Sequence, residues 1–137
     1  MKKSLIPAVT QALAVLSVAL LGGCMKELAE APAPCRPLVV YLALDNNLQV
    51  EYDARMSALR RAWRPGMELW VYADTPSGAT LGRMESTSGG AELRTVESYG
   101  AENSASGATL ERVLRTVWER SPATGYGLLF FSHATGW

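Results

Sequence analysis

The sequence predicts a three-layer α/β sandwich around a mainly parallel sheet, of which only the first half is present, and three observations predict it. Apolar runs without polar alternation occupy 38–44, 69–73 and 126–131, as expected of strands covered on both faces. Two stripes of apolar residues at helical spacing lie between those runs. Strand and helix therefore alternate, which is the order of a layered α/β domain.

Leu38-Val39-Val40-Tyr41-Leu42-Ala43-Leu44 is the first strand, bounded by Pro37 and by Asp45-Asn46-Asn47, whose side chains supply turn and N-cap chemistry. Leu48, Tyr52, Met56, Leu59 and Trp63 then recur every three or four residues, one face of a helix that Arg64-Pro65-Gly66 ends. Leu69 to Ala73 is the second strand, closing at Asp74 and completing a strand-helix-strand unit with an expected right-handed crossover. The more polar segments Leu81 to Glu85 and Ala91 to Val96, separated by Ser86-Thr87-Ser88-Gly89-Gly90, predict a small peripheral hairpin. Ser104 or Ser106 caps a second helix with its apolar face at Leu110, Val113, Leu114, Val117 and Trp118. Tyr126 to Phe131 is the most apolar run and the expected central strand. It delivers Ser132-His133-Ala134-Thr135-Gly136-Trp137, where a complete domain would be expected to continue over the strand.

The first residues carry an export signal. Lys2 and Lys3 precede an apolar stretch from Leu5 to Leu21 that ends in Leu21-Gly22-Gly23-Cys24. Cysteine directly after small residues marks a lipoprotein signal: residues 1–23 are removed, and Cys24 becomes the lipidated first residue. Several acyl chains on one residue anchor durably, at about 0.8 kcal/mol per buried methylene. A transmembrane helix is the competing reading, weakened by Pro7 and by the lack of a basic flank after the stretch. Residues 24–37 form an Ala/Pro-rich tether of about 40 Å if extended, and 38–137 form the domain. Cys35 lies in the tether, where no shaped site surrounds it, and is read as non-catalytic. Met25 after the lipidated cysteine favours the outer membrane or cell surface as the destination.

With 13 basic and 13 acidic residues the formal charge is zero, and no run of like charges occurs, so nucleic acid is not an expected partner. A parallel sheet keeps ligand sites at the carboxyl ends of its strands. Two clusters fall there, Asp45-Asn46-Asn47 and Ser132-His133. His133 is the only histidine. A lone histidine beside Phe130 and Phe131 serves structure more often than chemistry, and its place at a strand end is what makes it a candidate.

Tyr126 to Trp137, YGLLFFSHATGW, resembles the strand and His-Gly-x-Gly-Trp loop of the clostripain-family cysteine peptidases. Tyr41-Leu42-Ala43-Leu44-Asp45-Asn46-Asn47-Leu48 resembles that family's opening strand and Asp-Asn-x-Leu turn. Glu102-Asn103-Ser104-Ala105-Ser106 and the helix after it resemble lipoprotein members of the family. The resemblance implies a caspase-like fold and a His–Cys dyad that hydrolyses peptide bonds. His133 would be the general base, and the backbone N–H of Ala134 would help hold the oxyanion. Asp45, Asn46, Asn47 and Ser132 are candidate pocket-lining residues; a helix cap explains the first three, and a strand-end hydroxyl explains Ser132.

The family's cysteine ends a fourth strand in an Asp-Ala-Cys context, which this chain does not contain. Neither Cys24 nor Cys35 can replace it, so the chain by itself is expected to be inactive. Ala134 also stands where the family has glycine, a strained substitution if φ is positive there. No cofactor and no metal site are expected in this stretch; calcium is implied for a full-length member. The expected partners are a peptide or protein substrate, the membrane through Cys24, and the remainder of the peptidase domain. The competing function is a non-catalytic, lipid-anchored relative that binds peptide or a partner protein. A flavodoxin-like nucleotide binder is disfavoured, since no glycine-rich phosphate loop follows the first strand.

Overall fold

A computed structural model describes residues 36–133. The signal segment 1–23, Cys24, Cys35 and Ala134 lie outside the described residues. Strand β1 (Leu38–Ala43) leads through a 3-10 turn (Asn47–Glu51) into helix α1 (Tyr52–Ala62). Strands β2 (Leu69–Thr75), β3 (Gly78–Thr87) and β4 (Gly90–Gly100) follow, then helix α2 (Gly107–Arg120) and strand β5 (Gly127–Phe131).

All five strands form one sheet in the order β4-β3-β2-β1-β5. The apolar runs make its parallel core: β1 pairs in parallel with β2 on one side and with β5 on the other. The hairpin is longer than its polar sequence suggested and continues the sheet, β3 running antiparallel to β2 and β4 antiparallel to β3. Four of the five strands thus point the same way, and the predicted mainly parallel layered fold is the one observed. The extra length is backbone pairing at both ends of the predicted segments, Ala79 with Gly100 and Thr80 with Ser98 at one end and Thr87 with Gly90 at the other, where glycine and small polar residues carry little strand signal.

Each face of the sheet carries its own core. Met56 of α1 and Trp63, the residue that follows the helix, pack with Val40, Leu42, Leu44, Leu69 and Val71 on one face. Val113 and Val117 of α2 pack with Val39, Tyr41, Trp70 and Tyr72 on the other. The odd and even residues of β1 serve opposite faces, which is why its run shows no alternation. Trp118, expected on the packed face of α2, is 66% exposed. It follows Val117 directly, and one helical residue turns a side chain about 100° around the axis.

The expected central position of β5 is also corrected. It is an edge strand among the described residues, with Leu128, Leu129 and Phe130 all exposed at 44%, 54% and 49%. Its residues are apolar as expected, but the helices leave Leu128, Leu129 and Phe130 about half uncovered and reach only its end at Phe131. What holds β5 in place is its ladder to β1 and an aromatic row on the α2 face. Tyr41 stacks on Tyr72 at 4.3 Å between ring centres and meets Phe130 at 4.9 Å.

The hydroxyl of Tyr72 is buried without a hydrogen-bond partner among the described residues. Burial, then the neighbouring Tyr41 and Asp74, raises its pKa far above the ordinary value. Burial also raises Tyr99. In both cases the folded-state pKa lies above the unfolded one, so the unfolded state loses its proton first. Stability is therefore full below about pH 10 and falls as pH rises beyond it. Tyr72→Phe keeps the stacked ring and removes the orphaned hydroxyl. It is expected to be neutral or stabilising by about 1 kcal/mol at neutral pH and to flatten part of the alkaline loss. Urea titrations of both proteins at neutral pH and above pH 10 check this; a clear loss of stability in Tyr72→Phe would show that the hydroxyl has a partner.

Candidate active site

Because β1 and β5 are parallel neighbours with Leu42 opposite Phe131, the residues following both strands emerge at one end of the sheet. The two clusters singled out in the sequence are therefore brought together, 86 residues apart along the chain. Their meeting depends on a division of labour within Asp45-Asn46-Asn47.

Asn46 is the cap. Its backbone is extended, with φ −166° and ψ −164°, and its Oδ1 accepts from the Leu48 N–H. Its Nδ2 donates back to the Ala43 carbonyl at 3.2 Å, and its own carbonyl accepts from Gln49 at 3.1 Å. Both polar atoms of its side chain are thus engaged in closing the turn. Asn47, the first residue of the 3-10 turn, has no capping duty and is exposed. Its Oδ1 accepts from Nε2–H of His133 at 2.5 Å. Asp45 is exposed and makes no side-chain hydrogen bond among the described residues. Ser132 is exposed too, and its Oγ donates only to the carbonyl of His133, at 3.4 Å. Of the four candidate pocket residues, Asn47 alone makes a side-chain contact with His133; Ser132 touches only its carbonyl.

One residue near the site was not singled out in the sequence. Arg55 of α1 lays its guanidinium 4.2 Å from the ring centre of Phe131, two residues before the histidine. Glu51 holds the same guanidinium at 3.2 Å. Cation and ring brace the end of β5 against α1. The sequence signal was weak, an arginine one turn after the 3-10 segment, because nothing local shows which strand end will arrive above it.

An open cleft of about 590 Å³ lies on the β2 side of the same 3-10 turn, lined by residues including Gln49, Val50, Tyr52, Thr75, Pro76 and Ser77. The turn thus gives Asn47 to the histidine, Leu48 to the core, and Gln49 and Val50 to a groove. Among the described residues no group of three or more His, Cys, Asp or Glu comes together to hold a metal ion. No helix among them is long and apolar enough to cross a membrane.

No protein-family model matches the chain, and no curated protein matches it. Solved structures do. A cysteine protease from B. fragilis is 28% identical over 77% of this chain and 93% of its own, with a TM-score of 0.67. An inactive zymogen C11 protease from Parabacteroides distasonis is 28% identical over 79% of this chain, with a TM-score of 0.68. A secreted C11 cysteine protease from Bacteroides thetaiotaomicron, solved with an irreversible peptide inhibitor, is 27% identical over 75% of this chain, with a TM-score of 0.67. The chain spans 33% and 30% of the length of the last two.

Proposed function

This chain is related by fold to the C11, clostripain-family cysteine proteases, and from that premise we propose that it is the histidine-bearing part of a cysteine endopeptidase. The observation that carries the reading is the placing of His133 at the carboxyl end of a parallel strand, beside the turn that follows β1. That is where a parallel sheet gathers its chemistry.

His133 is the general base. It takes the proton of a cysteine thiol as the thiolate attacks the substrate carbonyl, then gives that proton to the departing amine. Water attacks the resulting thioester with the same residue as base, which releases the acid product and restores the thiol. The N–H of Ala134 is assigned to the oxyanion, in a segment outside the described residues. The cysteine comes from the remainder of the peptidase domain, and β5 supplies the place for it. The outer edge of β5 has no pairing strand among the described residues, and its side chains are apolar and exposed on both faces. A further strand added in parallel there would end beside His133, and the layers packed over it would cover Leu128 to Phe130. The export signal and Cys24 place the enzyme in the cell envelope on a lipid anchor, at the outer membrane or cell surface.

The test begins by reading the coding sequence past Trp137 and expressing the whole frame. An apolar strand ending in cysteine, with cleavage of peptides by the product, is the expected result. A stop directly after Trp137, with no cysteine-bearing partner chain, overturns the peptidase reading for this protein and leaves the non-catalytic, lipid-anchored binder.

A further inference from the structure

His133 is exposed at the end of an edge strand, so packing leaves its ring free to turn about its two side-chain bonds. One side-chain hydrogen bond among the described residues holds it, from Nε2–H to Oδ1 of Asn47. The acceptor is itself well placed. Asn46 closes the turn on one side, and Leu48 on the other packs against the α1-face core. An amide oxygen can only accept, so the shared hydrogen belongs to Nε2. Nδ1 then keeps its lone pair and is the one ring nitrogen able to take a proton.

We propose that Asn47 is a positioning residue, which sets the tautomer and the direction of His133 so that Nδ1 acts as the base. The role is one of the peptidase reading and rests on it; the geometry does not. It follows that the thiol must approach the Nδ1 edge of the ring, away from the turn after β1 and toward the open side of β5. When Nδ1 takes the thiol proton, the bond to Asn47 becomes charge-assisted and strengthens as the imidazolium forms. A neutral amide does this without placing a second negative charge beside the thiolate.

The single histidine makes the test direct. The full chain labelled with 15N-histidine gives one pair of imidazole nitrogens. With the ring neutral, the expected spectrum has the proton on Nε2 and Nδ1 bare. In Asn47→Ala both signals move toward the two-tautomer average of a free side chain. Asn47→Asp keeps an oxygen at the same place and restores the Nε2–H form. A wild-type spectrum with the proton on Nδ1, or an Asn47→Ala spectrum unchanged in a chain with intact circular dichroism, overturns the proposal. In the protein that carries the cysteine, Asn47→Ala is expected to lower kcat about 10²-fold with KM little changed, and Asn47→Asp to recover most of it. An effect on KM alone overturns the positioning role while leaving the peptidase intact. If the wild-type protein cleaves no peptide, the peptidase reading falls, and with it the catalytic role of Asn47; the spectra still decide whether Asn47 sets the tautomer.

Discussion

Replacing His133 by alanine is expected to lower kcat/KM of the cysteine-bearing protease by about 10⁴-fold, which is roughly 5.5 kcal/mol of transition-state stabilisation. The size follows from what the residue does twice in each cycle, removing the thiol proton and returning it to the leaving amine. A cysteine is a few per cent thiolate near neutral pH without any base, so the loss should be smaller than for a serine enzyme. Acylation keeps that small background, whereas the amine must still leave without an acid. Because His133 is exposed and lies beyond the last described strand, the same substitution should leave stability within about 0.5 kcal/mol of wild type. Activity and denaturation measured on one preparation separate the two roles. Full activity with an unchanged fold would remove His133 from the mechanism, and lost activity with a collapsed fold would make it structural.

The layers of this domain were legible because burial writes itself into sequence. β1, β2 and the apolar faces of both helices are where unbroken or periodic apolar residues placed them. The hairpin was legible in kind and not in length, since its outer pairs, such as Ala79 with Gly100 and Thr87 with Gly90, join glycines and small polar residues that composition reads as turn. The position of β5 was not legible. An apolar strand reads as central wherever its covering layer resides, and here that layer is not among the described residues. The site shows the same limit. Asp45-Asn46-Asn47 read as a cap, and one of the three is the cap. Whether the cap was the first, second or third depended on where β1 stopped, a matter of one residue. That single residue decides which side chain is left over to meet His133, and the meeting itself joins positions 86 residues apart.

Trp70→Ala is the substitution expected to damage the fold most. The side chain is 1% exposed and lies in the α2-face core with Val39, Val113 and Val117. Its Nε1–H donates to Glu68 at 3.0 Å, and the same carboxylate oxygen accepts from Ser121 at 2.7 Å just past α2. Arg83 of β3 brings its guanidinium to 5.9 Å from the ring centre and to 3.7 Å from Glu68. One indole therefore ties the start of β2 to β3 and to the end of α2. Truncation leaves a large cavity and costs about 3–5 kcal/mol, against a total stability of roughly 5–15 kcal/mol for an ordinary domain. The melting temperature should fall on the order of 20 °C. Trp70→Phe keeps most of the buried ring and loses only the Nε1–H bond, so its loss should be nearer 1–2 kcal/mol. Trp70 lies at the start of β2, whereas His133 follows the closing end of β5, so the damage should not reach the site. In the cysteine-bearing protein, both variants should retain the wild-type kcat per folded molecule well below their melting temperatures. If kcat falls while the fraction folded does not, packing at the far end of the sheet is coupled to the histidine through the Tyr72–Tyr41–Phe130 row, the aromatic contact that runs from β2 across β1 to β5.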